Sequence, residues 1–290
     1  MKKQLSYSLR LLLLSGVAVI MSTSCIFMPP KEEKEVIKTE VETTEDGKTI
    51  FKKDGLTCVW HDEFDRNGVP DTTKWKYQTG NHGWGNQEQQ NYIDNTNVAD
   101  TAVVENGVLT IKAYDDGNGW KSARLNSKNS WKYGYIEARM KITDRKGAWP
   151  AFWMMPQNDV YGGWPASGEI DIMENAPNVG EHRVFSSLHA SGHYDGSPAS
   201  IGGQVYDDKL SSEWHTFGIK WEADNISCYY DDEKVGSYAN NGNTPEDWPY
   251  DQDFYIILNL AIGGKLGGDK WVSSLGGHAE FIIDYVRVYQ

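Results

Sequence analysis

The sequence predicts an all-β fold, a sandwich of two antiparallel sheets, and three observations carry that prediction. From Leu56 onward the chain consists of short runs of alternating polarity with hardly any helical periodicity. Gly- and Asn-rich turns separate these runs at nearly regular intervals. Asn106-Gly107 stands between two of them, and such a pair is a strong hairpin signal because both turn positions need positive φ.

The first 24 residues read as a signal peptide, residues 25–54 as a flexible acidic tether and residues 55–290 as the folded domain. Lys2, Lys3 and Arg10 form a positive start, and Leu11 to Met21 is an apolar stretch of 11 residues, too short to span a bilayer but right for a signal sequence. Ser22-Thr23-Ser24-Cys25 then resembles a bacterial lipoprotein cleavage site, with Ser22 where Leu is usual, so that Cys25 would be the acylated first residue. An ordinary secretion signal is the alternative, and either one takes the protein out of the cytoplasm. Between Lys31 and Asp46 stand three Lys and seven Asp or Glu, a composition that cannot bury enough apolar surface to order itself. Lys31-Glu32-Glu33 resembles the export tag of surface lipoproteins in Bacteroidetes-type bacteria, which implies the outer membrane or cell surface of a Gram-negative cell.

In the domain, strands are expected at Val103–Glu105, Val108–Tyr114, Tyr133–Ile142, Ala151–Met155, Glu169–Met173, Val184–Ala190, Trp214–Trp221, Ile226–Tyr230, Phe254–Ala261 and Phe281–Tyr289. No internal repeat and no second composition boundary interrupts them, so one domain is expected.

Twenty-eight basic residues against 41 acidic ones give a formal charge of −13. That balance argues against nucleic-acid binding, which needs a basic footprint, and disfavours polyanionic substrates. Three cysteines are too few for a disulfide scaffold; Cys58 and Cys228 could pair in an oxidising compartment, but both lie in expected strands, and buried free thiols are the expectation. Twelve Trp and 16 Tyr suit a neutral ligand with stackable faces.

The chemistry concentrates in Gly168-Glu169-Ile170-Asp171-Ile172-Met173-Glu174. Strand alternation places Glu169 and Asp171 on one face and Ile170 and Ile172 in the core. Plain alternation would bury Glu174 as an unpaired carboxylate, whereas a β-bulge near Met173 returns it to the face of the other two. Three carboxylates on one face repel, and their pKa values are driven apart. Glycoside hydrolysis uses that asymmetry, with one ionised carboxylate and one protonated partner.

Trp149-Pro150-Ala151-Phe152-Trp153, Trp164-Pro165-Ala166-Ser167-Gly168 and the bulged acidic strand resemble glycoside hydrolase family 16, and within it the laminarinase-like endo-β-1,3-glucanases. The likeness runs from about Trp60-His61-Asp62-Glu63-Phe64 to Asp284-Tyr285-Val286-Arg287-Val288-Tyr289. It implies a β-jelly roll with a substrate cleft on its concave face, and a retaining hydrolase that acts on β-1,3-glucan or mixed-linkage β-1,3/1,4-glucan through a covalent intermediate. It implies Glu169 as nucleophile, Asp171 as its helper and Glu174 as acid/base. Trp149, Trp153 and Trp164 would line glucose subsites, and Asn86, Glu88, Arg124, His189 and Asn259 would bond sugar hydroxyls. Trp84, Trp120 and Trp271, in Gly- or Asn-rich loops, are further candidates for the cleft. No cofactor is expected for catalysis; a structural calcium on Glu63, the Gly107 backbone and Asp284 is implied by the resemblance alone. A monomer is expected, held at the membrane only through a lipid anchor.

Other signals read as empty. His189 and His193 are four apart, a metal spacing that belongs on a helix, and Gly263-Gly264-Lys265 lacks the rest of a phosphate loop. Two rival functions stay open: a non-catalytic glycan-binding lipoprotein, and the same chemistry on xyloglucan, agarose or a carrageenan.

Overall fold

The computed structural model describes residues 35–290, apart from residues 46, 98–99, 195–198, 241 and 243. The described residues form one compact unit, whose regular secondary structure is almost all strand. The larger sheet contains β1 (Thr39–Thr43), β2 (Thr49–Lys53), β3 (Leu56–Asp62), β5 (Asn91–Tyr92), β6 (Ala102–Glu105), β7 (Val108–Asp115), β8 (Trp120–Ser122), β10 (Gly134–Lys141), β15 (His215–Trp221), β16 (Asn225–Tyr230), β17 (Glu233–Ala239) and β19 (His278–Tyr289). Its main path is β1-β2-β3-β19-β10-β15-β16-β17, and β7 joins β19 to the β6, β8 and β5 branch. The second sheet runs β14 (Ala199–Tyr206), β13 (Arg183–His189), β12 (Glu169–Asn175), β11 (Ala148–Pro156), β18 (Phe254–Ile262), β9 (Arg124–Trp131), β4 (Trp75–Tyr77). All pairings are antiparallel except the two-residue match of β5 with β8. Among the described residues one short α-helix, α1 (Gly264–Gly267), follows β18, and 3-10 turns stand at Gly83–Gly85 and Asp269–Leu275.

The apolar faces of the two sheets meet in one core that includes Leu109, Ile111, Phe152, Ile172, Met173, Trp221, Phe254 and Phe281, all nearly or fully excluded from water. The inward set of each strand follows the two-residue period, the local cause of the layered architecture. At the expected hairpin, Asn106 and Gly107 both have positive φ, 54° and 78°, between β6 and β7. The remaining expected strands coincide with observed ones to within a few residues at each end. β9, of sequence Arg-Leu-Asn-Ser-Lys-Asn-Ser-Trp, escaped the alternation because its polar residues Arg124, Asn126 and Ser127 are buried by tertiary partners.

The N-terminal boundary needs correction. The flexible tether was expected to reach residue 54, but β1 and β2 form a hairpin that continues through β3 into the larger sheet. Ile37 is buried with Tyr135, Tyr229 and Tyr289, and Phe51 and Leu56 pack against them. Lys53 Nζ lies 2.8 Å from Glu137 Oε2 with both side chains excluded from water, and it also meets Asp232 and Thr39. Composition suggested a solvated segment; a buried carboxylate and a tyrosine cluster from distant strands supply the partners that order it. Residues 1–34, on which the expected signal peptide and Cys25 fall, lie outside the described residues.

Candidate active site

β12 carries Glu169, Asp171 and Glu174 across the centre of the second sheet, flanked by β11 and β13. Asp171 pairs with Ser187 and Glu174 with Phe185, so three steps on β12 match two on β13. The same extra residue appears against β11, where Asp171 faces Trp153 and Met173 faces Phe152. Ile172 and Met173 therefore both enter the core, and Glu174 returns to the face of Glu169 and Asp171, as the sequence predicted. Just before this strand Gly168 has φ +90°, and a Cβ there would lie 3.0–3.2 Å from Pro249, Tyr250 and Phe254.

Each carboxylate has its own partner. Trp164 donates its indole N–H to Glu169 Oε2 at 2.5 Å, and Trp149 donates to Glu174 Oε1 at 2.9 Å. His189, directly opposite Glu169 on β13, puts Nε2 3.0 Å from Asp171 Oδ2. Burial, then the charge of Asp171, pushes the Glu169 carboxyl up to about 8, while the His189 ring and the Trp164 N–H oppose the rise. Burial takes Asp171 to about 7. Glu174 is held well above the ordinary carboxylate range, by burial first and then by the charges of Asp171 and Glu169. The three groups titrate as a set, in which Glu174 is the natural holder of a proton. Glu169, Asp171 and His189 also offer one ligand atom each within 4.8 Å, the one such metal-capable group of His, Cys, Asp or Glu among the described residues.

One wall of the site is aromatic and cationic. The Arg124 guanidinium lies between the rings of Trp84, at 4.8 Å, and Trp153, at 4.6 Å, while its Nε donates to Gln78 Oε1 at 2.7 Å. Burial lowers its pKa, although a guanidinium stays charged at any working pH. Trp153 donates its N–H to Asn259 Oδ1 at 2.6 Å. Asn86 and Glu88 stand in a loop that closes on α1: Lys265 N donates to Asn86 O at 2.9 Å. Gly264 permits that approach, because a Cβ there would lie 2.6 Å from the Asn86 carbonyl oxygen. Burial raises the Glu88 carboxyl, against a hydrogen bond from Gln90 of 2.6 Å.

One expected role changes. Trp120 is a core residue, 8% exposed, and does not extend the cleft. Trp271 is held through its N–H by Asn178 Oδ1 at 2.9 Å and has the Lys146 and Lys270 ammonium groups within 5.2 Å of its ring. His193 has both ring nitrogens against backbone carbonyls, those of Leu188 and Asp247. Cys58 and Cys228 are free. Sequence reasoning missed Tyr92, Gln78 and Gln90, polar side chains whose only signal was their nearness to Glu88 and to the start of a short strand.

The expected calcium ligands fit a cation poorly as they stand. Burial alone would raise the Glu63 carboxyl, but two hydrogen bonds from Arg287, 2.8 and 2.7 Å, take it down to about 2. Asp284 Oδ2 accepts from Arg139 at 2.6 Å, and Gly107 has only its backbone to offer. The positive charge at these carboxylates comes from arginine.

The comparisons with known proteins agree with this geometry. The model for "Glycosyl hydrolases family 16" matches residues 86–287. The chain belongs to glycosyl hydrolase family 16. A beta-glucanase of Rhodothermus marinus is 38% identical over 251 residues, covering 80% of this chain and 84% of that protein. A glucan endo-1,3-beta-glucosidase of Cryptopygus antarcticus is 36% identical over 252 residues, with 79% and 90% covered. The crystal structure of a laminarinase from Flavobacterium sp. UMI-01 superposes with a TM-score of 0.73 at 36% identity, covering 80% of this chain and all of that one. In this family-16 chain the jelly roll and the bulged acidic strand coincide with what the motifs implied.

Proposed function

We propose that this protein is a retaining endo-hydrolase of β-1,3-glucan that also accepts mixed-linkage β-1,3/1,4-glucan. The observation that carries the reading is the bulge that puts Glu169, Asp171 and Glu174 on one face, where burial and the charges of the other two carboxylates raise Glu174. Glu169, once ionised, attacks the anomeric carbon as Glu174 gives its proton to the leaving glycosidic oxygen, and the glycosyl–Glu169 ester forms. Glu174, now a carboxylate, takes a proton from water; the water oxygen attacks the anomeric carbon and releases Glu169. Asp171, held by His189, shares a hydrogen bond with Glu169 and carries negative charge beside it when Glu169 is esterified.

The names of the relatives, beta-glucanase, glucan endo-1,3-beta-glucosidase and laminarinase, support a neutral glucan as substrate. So does the net charge of −13, which repels sulfated galactans. The complete carboxylate trio argues against a purely glycan-binding role, which needs only the aromatic wall. The test is reducing-end release from laminarin, barley-type mixed-linkage glucan, xyloglucan and agarose, each with wild type and Glu169→Gln. Cleavage of the first two alone supports the reading, and preference for xyloglucan or agarose overturns it.

We place the enzyme outside the cytoplasm as a monomeric lipoprotein anchored through Cys25 at the outer membrane. The charged start, the apolar stretch and the small residues before Cys25 support this. Cys25→Ala should release active enzyme from the membrane fraction, and unchanged partitioning would leave an ordinary secretion signal.

A further inference from the structure

Behind the aromatic wall runs a chain of hydrogen bonds with one sense. Trp153 Nε1 donates to Asn259 Oδ1 at 2.6 Å, Asn259 Nδ2 donates to the Tyr92 hydroxyl at 2.9 Å, and that hydroxyl donates to Glu88 Oε2 at 3.3 Å. Tyr92 is 1% exposed and Asn259 5%. The Tyr92 ring also meets Trp84 edge-on, with centroids 5.3 Å apart and planes at 64°. One buried side chain thus touches one of the two indoles that enclose Arg124 and, through Asn259, fixes the other.

We propose that Tyr92 is a positioning residue for carbohydrate binding: its hydroxyl holds the Asn259 amide in the one orientation that accepts from Trp153, and so sets the aromatic wall beside the catalytic strand. The inference rests on the glucan-hydrolase reading of the site. An amide has one oxygen and one NH2 end, so it can turn its oxygen to an indole N–H only if its nitrogen meets an acceptor. The Tyr92 oxygen is that acceptor, and its single proton is left for Glu88. The register connects this to the reaction centre. Asn259 lies opposite Ala151 and Ala151 opposite Glu174, so the amide and the acid share one cross-strand row, while Trp153 stands directly opposite Asp171. A rotated Asn259 frees the Trp153 indole without disturbing any reacting carboxylate.

Tyr92→Phe keeps the buried ring and removes only the hydroxyl. In the full chain, KM for laminarin and the Kd of laminari-oligosaccharides for a Glu169→Gln background should rise roughly tenfold, with kcat on an activated aryl β-laminarioside within about twofold of wild type. Asn259→Ala should raise KM and Kd at least as much, and the double variant should be no worse than Asn259→Ala alone, because the two residues act through one chain. In the unliganded protein the indole N–H resonance of Trp153 should move in Tyr92→Phe. Unchanged KM and Kd, additive effects of the two substitutions or an unmoved resonance would each overturn the proposal. A wild type inert towards every glucan would sink the functional reading instead, and the resonance would still decide the role of Tyr92.

Discussion

Trp149 both covers Glu174 and donates to it, its indole N–H 2.9 Å from Glu174 Oε1, with the two side chains 9% and 8% exposed. The partner of Glu169 is different: Trp164 is 48% exposed, so its hydrogen bond stands open to the cleft. Two glutamates on one strand thus face unlike surroundings, the condition under which one acts as acid while the other acts as nucleophile.

Glu169→Ala should abolish turnover of laminarin, by about 10⁴-fold or more, without lowering the melting temperature, because no core packing is lost. Added azide or formate should restore part of the activity by occupying the vacated space and attacking in place of the carboxylate. Wild-type-like turnover in the variant would remove Glu169 from its role.

Glu174→Gln should cripple hydrolysis of natural glucans yet spare the first step for aryl glycosides with good leaving groups, which need no proton. The wild-type profile of kcat/KM against pH should be bell-shaped. Its acid limb should lie above the ordinary carboxylate value of 4.5, because burial and the charge of Asp171 raise Glu169, and burial raises Asp171. The basic limb, which belongs mainly to Glu174, should flatten in the variant. Equal loss of the glycosylation step on activated and natural substrates would show that Glu174 is not the proton donor.

The same shift makes a statement about stability. The folded state holds a proton on Glu174 at pH values where the unfolded chain has lost it, so stability falls as pH rises from the unfolded value towards the folded one. Glutamine does not titrate. Glu174→Gln should therefore melt above wild type by several degrees at pH 8 and by little at pH 4, since one pKa unit is about 1.4 kcal/mol and ~1 kcal/mol moves the melting point of a domain this size about 2–4 °C. Thermal melts across pH 4–8 with parallel curves for the two proteins would contradict the assignment.

Lys53→Ala should destabilise the domain by about 3–5 kcal/mol, because it strands the Glu137 carboxylate in a site that excludes water. Lys53→Met combined with Glu137→Leu should recover most of that loss. Chemical denaturation measures both, and a single variant within about 0.5 kcal/mol of wild type would return the hairpin to the status of a linker.

Legibility followed the range of the forces involved. The period of two along Glu169 to Asp171, the need to keep Glu174 out of the core and the positive φ of Asn106-Gly107 are local, so the sequence by itself determined the sandwich, the bulge and the face that the three carboxylates share. The partners of charges and rings are not local. Nothing in the linear order says that Arg124 enters between Trp84 and Trp153, that Trp120 goes to the core or that Arg287 takes both oxygens of Glu63. Nor does the charged composition of residues 31–54 reveal that Lys53 meets a carboxylate 84 positions away in Glu137. Those choices were made by tertiary structure, because a buried polar group takes whatever donor or acceptor the packed strands bring within about 3 Å, and strand packing joins residues without regard to their separation along the chain.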